Sequence, residues 1–213
     1  MTPALRGALS VLLLMFAAGC GGGSEDTEGS GDAGGSSGEQ IEIGGAEALM
    51  WGDGDYGVVL AHGAAFDAAS WEEQAERIAD GGATVVAVED ISPEGIEAAV
   101  EQLQEDGIDD VALVGGSAGA DAILQLVSAE PDLPDQLILL SPNSTVDGLG
   151  EQPKLFIASE DEPVADVSRE LAESAPGGDN EALILPGSAH AQNIFDSDQG
   201  DDVLDVMLER LAR

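Results

Sequence analysis

The apolar run Val111-Ala112-Leu113-Val114 leads straight into Gly115-Gly116-Ser117-Ala118-Gly119, and this junction limits what the chain can fold into more than any other stretch. Four apolar residues running from Asp110 into Gly115-Gly116 read as a buried strand, and the residues after Ala118 read as a helix. The serine therefore stands at a sharp strand-to-helix corner, which lifts its hydroxyl clear of the sheet. Glycine is needed on both sides because side chains would collide in so tight a turn. The N–H of Ala118 belongs to a helix N-terminus, where developing negative charge is favoured.

The remaining pattern alternates strands with helices, which argues for a mostly parallel sheet covered by helices on both faces. The spacing predicts strands over 46–51, 57–61, 83–88, 111–114, 136–140, 154–158 and 182–185, about seven in all. Ser70 with Glu73 reads as a capping box opening a helix that Gly81-Gly82 closes. Ser92-Pro93 starts a second helix, whose Ile96, Ala99, Val100 and Leu103 form one stripe. Helices are also expected over 118–129, after Pro163 and from about Asp201. After the strand ending at Leu140, the connecting stretch from Ser141 to Gln152 has only twelve residues, which leaves no room for a lid and predicts an open site.

A serine hydroxyl needs a base, usually a histidine oriented by a carboxylate. The chain has two histidines, His62 and His190. His62 ends an early strand in Ala61-His62-Gly63-Ala64-Ala65, and His190 follows the last strand in Gly187-Ser188-Ala189-His190. A carboxylate follows another strand, in Ala158-Ser159-Glu160-Asp161. Asp161 is the expected acid, with Glu160, Glu162 and Asp147 as its neighbours in the choice.

With Ser117, Asp161 and His190 in that order, the chain from about Ile41 onward resembles the α/β-hydrolase superfamily, in its small, lidless, dienelactone-hydrolase-like or esterase-like form. Four blocks carry the resemblance: His62-Gly63, the turn around Ser117, Asp161 at a strand end, and Gly187-Ser188-Ala189-His190. The resemblance implies Ser117 as nucleophile, His190 as base and Asp161 as acid, since the family sets the acid three residues after a small strand-end residue, here Ala158. It also implies an oxyanion hole formed by the N–H groups of Ala118 and of Ala64, or of Ala65 beside it, with His62 supporting that loop. Dienelactone hydrolases carry a cysteine where this chain has Ser117. The implied activity is cleavage of a small carboxylic ester or thioester through an acyl-enzyme, with no metal or organic cofactor. The alternatives are an acyltransferase or amidase using the same triad, and a tethered binding module that has lost turnover. Phe66, Trp71 and Phe195 stand near the site loops, as acyl-slot or core residues.

Residues 1–20 read as an export signal: Arg6 supplies a positive start, Ala8 to Ala18 is apolar, and Ala17-Ala18-Gly19 precedes Cys20, the only cysteine. The end resembles a prokaryotic lipobox, with Ala17 where leucine is usual, and implies lipidation of Cys20. An ordinary cleaved signal or a plain apolar anchor is the alternative. Residues 21–40 are rich in Gly, Ser and acids, with no apolar residue larger than alanine, and read as a flexible tether. The domain is expected over 41–213, exported and held at a membrane surface by a lipid anchor.

Forty-three acids oppose six basic residues, for a net charge of −37. Once the signal and the five linker acids are set aside, the domain still carries about −33. Nucleic acid is excluded as a partner, and self-repulsion at low salt should be large. A saline or halophilic setting would screen it; an acidic exported surface from a GC-rich genome is the plainer reading.

Overall fold

The computed structural model describes residues 38–212. Their centre is an eight-stranded sheet: β1 (Glu39–Ile43), β2 (Ala46–Trp51), β3 (Tyr56–Ala61), β4 (Ala83–Val88), β5 (Val111–Gly116), β6 (Gln136–Leu140), β7 (Lys154–Ser159) and β8 (Asn180–Leu185). Their spatial order is β1-β2-β4-β3-β5-β6-β7-β8. Only β2 runs antiparallel to its neighbours; from β4 through β8 every pairing is parallel.

The central strands are apolar without alternation because both faces are covered. Val58, Leu60, Ala112, Val114, Ile138 and Ile157 face α1 (Glu72–Asp80) and α5 (Gly200–Leu211). Val59, Leu113, Leu137, Leu139 and Phe156 face α2 (Pro93–Glu105), α3 (Ala118–Ala129) and α4 (Ala165–Ser174). Each helix meets the sheet with the stripe its sequence shows. In α2, Ile96, Ala99, Val100 and Leu103 are buried, Pro93 stands in the first turn, and the Ser92 hydroxyl accepts from Gly95 N–H at 3.1 Å.

Three expectations are corrected. The sheet has eight strands rather than about seven, because β1 begins at Glu39, inside the stretch read as tether. Its partly buried Ile41 and buried Ile43 alternate with exposed Gln40 and Glu42, too short a pattern to register among polar neighbours. The capping box at Ser70 does not form. Asp67 caps a 3-10 turn (Ala68–Trp71) instead, accepting from Ser70 N–H, and α1 follows at Glu72. Strand β7 runs one residue further than expected, to Ser159, and that single residue decides the acid below. No helix or strand interrupts residues 141–153.

Lys154, the only lysine, is fully buried at the start of β7. Its ammonium donates to the carbonyls of Gly150 (2.6 Å), Gln152 (2.6 Å) and Pro176 (2.9 Å). Burial pushes its pKa down. Residues 1–37, with the expected signal, Cys20 and most of the expected tether, lie outside the described residues.

Candidate active site

Four adjacent strands, β5 to β8, end on the same side of the sheet, and each is followed by residues of one hydrogen-bonded group. Between β5 and α3, Ser117 adopts φ 49 and ψ −109, a positive-φ backbone that a side chain rarely takes. It is held there because its N–H donates to Leu140 O at 2.9 Å and its carbonyl accepts from Asp121 N–H at 2.9 Å, the first bond of the helix. The glycines around it are steric requirements. A Cβ on Gly119 would lie 2.4 Å from Ala61 O and 2.7 Å from His62 O. One on Gly115 would lie 2.8 Å from Ala120 N. Helix α3 can therefore approach β3 and β5 only through glycine.

His190 follows β8 and precedes a second 3-10 turn, Ala191–Ile194. Its Nε2 lies 2.9 Å from Ser117 Oγ, and its Nδ1 bonds Glu162 Oε2. A carboxylate can only accept, so Nδ1 carries the proton. Nε2 is then left bare and accepts from the serine hydroxyl, the tautomer a general base requires.

The acid on His190 is Glu162, and Asp161 is not brought to the histidine. Asp161 is exposed, with its N–H tied to Gly187 O at 2.9 Å. Glu162 has a side chain only 2% exposed. The spacing of three residues is correct but counts from Ser159, the true end of β7, rather than from Ala158. A turn closed by Glu162 N–H to Ser159 O (3.1 Å) folds the glutamate back over the strand end. Its Oε1 accepts from Ser159 N–H (2.6 Å) and from the Ser141 hydroxyl (3.0 Å). Ser141 must donate there, because a carboxylate oxygen only accepts; its own oxygen accepts from Ala191 N–H at 2.9 Å. The Ser159 hydroxyl donates to Ala189 O at 2.6 Å, fixing the base loop from below. Glu160 is exposed, and Asp147 lies beside Ser128, whose hydroxyl donates to its carbonyl.

The expected oxyanion residues follow two neighbouring strands, β5 and β3. Ala118 is the first residue of α3, so its N–H lacks an intrahelical partner. Ala64 is exposed in the turn after β3, where Phe66 N–H closes onto Gly63 O at 2.9 Å. Gln192, which sequence reasoning missed, ties this loop to the base loop. Its Oε1 accepts from Gly63 N–H at 2.7 Å, and its Nε2 donates to Ser70 Oγ. Single polar residues at strand ends and in turns show no periodicity, so Gln192, Ser141 and Ser159 carried no signal beyond their proximity to the motifs.

His62 is not a base for Ser117. It is buried, and its Nδ1 donates to Gly63 O at 2.9 Å, supporting the loop. Trp71 is a core residue, fully buried and edge-on to Phe195 with ring centroids 5.9 Å apart; Phe66 is partly exposed beside Gly63. A cavity of about 440 Å³ lined by Tyr56, Arg77, Ile78, Leu208 and Leu211 opens at the opposite end of the sheet and is separate from this site. Among the described residues no group of three or more His, Cys, Asp or Glu is arranged to hold a metal ion.

Solved structures similar to this one settle the architecture. They include a monoacylglycerol lipase from Paleococcus ferrophilus (TM-score 0.64, 15% identity, covering 81% of this chain and 99% of that one). An esterase of the bacterial hormone-sensitive lipase family matches with TM-score 0.70 and 17% identity, covering 82% of this chain and 83% of its own. A protein described as a predicted CIB-like hydrolase, from Thermoplasma acidophilum, matches with TM-score 0.63 and 17% identity, over 82% of this chain and 97% of that one. The fold is the α/β-hydrolase fold. At such identities the likeness concerns the fold alone. No protein-family model and no curated protein sequence matches the chain.

Proposed function

We propose that this protein is a serine hydrolase that cleaves small carboxylic esters or thioesters through a Ser117-His190-Glu162 triad. The observation that carries the reading is the 2.9 Å approach of His190 Nε2 to Ser117 Oγ, with Glu162 on the opposite ring nitrogen. Nucleophile, base and orienting acid are thereby in contact without rearrangement.

In this mechanism Ser117 Oγ attacks the ester carbonyl while His190 Nε2 takes its proton. The carbonyl oxygen becomes an oxyanion, held by the N–H groups of Ala118 and Ala64, each contributing about 3 kcal/mol in the transition state. The tetrahedral intermediate collapses, His190 returns the proton to the departing alcohol, and the acyl group stays on Ser117. Water then repeats the sequence, with His190 as its base, and frees the acid. Glu162 keeps the proton of the resting imidazole on Nδ1 and stabilises the imidazolium as it forms. The short 141–153 connection leaves the site open, which favours small or protruding substrates. The lipase and esterase names of two neighbours favour an ester over an amide.

The same proposal has the domain exported and anchored through a lipidated Cys20, with residues 21–37 as the tether, and suited to saline surroundings. The support is the amino-terminal pattern and the charge. A fluorophosphonate probe tests the chemistry without knowledge of the substrate. The expected adduct maps to Ser117 and is lost in His190→Ala. A folded protein that takes no probe and hydrolyses no aryl ester at low or molar salt refutes the reading.

A further inference from the structure

Asn143 is exposed in the connection after β6, and its amide nitrogen lies 3.4 Å from Ser117 Oγ. The amide is not free to turn. The same Nδ2 lies 2.8 Å from Asp121 Oδ2, while Asp121 Oδ1 accepts from Asn143 N–H at 2.8 Å and from the Ser144 hydroxyl at 3.3 Å. Asp121 is in turn rigid, in the first turn of α3 four residues beyond the serine. A carboxylate cannot donate, so the atom facing it must be the NH2 group and not the amide oxygen. One amide hydrogen goes to Asp121, and the other is directed at Ser117 Oγ.

We infer that Asn143 is a further catalytic residue, a hydrogen-bond donor to the nucleophilic oxygen itself, oriented by Asp121. The inference rests on the hydrolase reading above. The electron count at Ser117 Oγ allows it: the hydroxyl proton faces His190, one lone pair accepts from Asn143, and the second lone pair remains for attack. In the resting enzyme the bond is long and neutral. As the proton passes to His190, Oγ gains negative charge and the bond becomes charge-assisted, shorter and stronger. In the acyl-enzyme Oγ is an ester oxygen, a weak acceptor. When the second intermediate collapses, Oγ leaves as a nascent alkoxide, reclaims its proton from His190, and is stabilised again. The donor thus acts on both transition states more than on either ground state, which is the condition for raising kcat. It is distinct from the oxyanion hole, which serves the substrate's oxygen.

The test compares wild type, Asn143→Leu and Asp121→Asn, with Ser117→Ala as the blank, on an aryl ester. A trifluoromethyl ketone, which forms a tetrahedral adduct on the serine, supplies a second readout. Asn143→Leu is expected to lower kcat roughly 10- to 100-fold, the value of a hydrogen bond to a charged acceptor, with KM unchanged. The ketone Ki should change little, because in the adduct Oγ is an ether oxygen and the charge sits on the ketone oxygen. Asp121→Asn lets the amide turn either way; it should lower kcat several-fold, and add nothing to Asn143→Leu. A role limited to ordering the loop would lower Tm and raise KM and Ki together with kcat little changed, and would overturn the inference. So would wild-type kcat in Asn143→Leu; with Ser117→Ala inactive, that result leaves the hydrolase reading standing. A wild-type protein that neither turns over the ester nor binds the ketone overturns both. If Asn143→Leu does not fold, Asp121→Asn decides, and unchanged kcat there overturns the inference.

Discussion

Replacing Glu162 by glutamine tests the triad more sharply than removing the residue, because the hydrogen bonds around it dictate what the new amide must do. Oε1 accepts from two donors, Ser159 N–H at 2.6 Å and the Ser141 hydroxyl at 3.0 Å. The first cannot reverse, since a backbone amide only donates, and it fixes an oxygen at this position. The glutamine oxygen must therefore take that place, and its NH2 group faces His190 Nδ1. Nδ1 must then accept, the imidazole proton moves to Nε2, and Nε2 can no longer take the proton of Ser117. The fold is retained, since every donor keeps an acceptor, but the base is lost to the wrong tautomer. The expected fall in kcat is about 10⁴-fold, or roughly 5.4 kcal/mol in the barrier. Asp161→Asn, at the exposed neighbour, should stay within about twofold of wild type, as surface changes do. Steady-state hydrolysis of an aryl ester, with Tm measured on each variant, separates the cases. Glu162→Gln with more than a tenth of wild-type kcat, or an inactive but folded Asp161→Asn, refutes the assignment of the acid.

Further expectations concern the frame around the triad. Gly119→Ala places a Cβ 2.4 Å from Ala61 O, a backbone atom that cannot yield cheaply. It should cost about 3 kcal/mol and lower Tm by roughly 6–12 °C, and an unchanged Tm would refute the close-approach argument. Ser141→Ala removes a donor from Glu162 and an acceptor from Ala191 N–H; it should lower kcat about tenfold and Tm with it, and wild-type kcat would show that Ser159 alone suffices. Lys154→Met strips the donor from three carbonyls and should cost about 3 kcal/mol in a urea melt. Because burial lowers the native pKa of Lys154 below its ordinary 10.5, the unfolded chain binds more protons between those two values. Stability should rise with pH across that window, and a Lys154→Met variant that keeps the rise would refute burial as its cause. Finally, Tm should climb as salt shortens the Debye length from about 10 Å at 0.1 M to about 3 Å at 1 M, since the paired arginines Arg77, Arg169 and Arg210 cannot offset the domain's acids. A flat or falling Tm would refute self-repulsion as a main term.

The strongly periodic and apolar parts of this chain were legible in its sequence for a physical reason: they are buried on both faces or along one stripe, and burial leaves a pattern. Strands β3 to β7 and helix α2 are such cases, and so is the turn at Ser117, where three glycines and a serine have no cheaper explanation. Strand β1 was missed because an edge strand with one solvated face carries polar residues, Gln40 and Glu42 on that face and Glu39 at its start, that look like linker. The acid was placed one residue early because element ends are set by side-chain contacts and not by composition. Ser159 is 1% exposed and continues the strand through pairing with Leu185, yet a serine beside Glu160 reads as the start of a turn. Gln192 and Asn143 had no sequence signal at all, since their roles depend on neighbours 129 and 26 residues away.

Where the backbone departs from ordinary geometry bears on the same question from the opposite side. Among the described residues, three that are not glycine have positive φ: Ser117, Ser141 and Ala191, at φ 49, 49 and 51. Each costs of order 1 kcal/mol or more, and nothing in local propensity favours them. They follow three different strands, yet they are joined: Ser141 Oγ accepts from Ala191 N–H and donates to Glu162, Glu162 bonds His190, and His190 bonds Ser117. Strain spread at random over eight strand ends would not fall on one connected group. The folded sheet instead supplies enough burial to hold three unfavourable turns where they aim the serine, seat the carboxylate and present the imidazole. Relaxing any one of them into a common conformation would gain local stability and swing a triad member out of reach. A stabilising substitution at these three positions should therefore cost activity, whereas one elsewhere in the core need not.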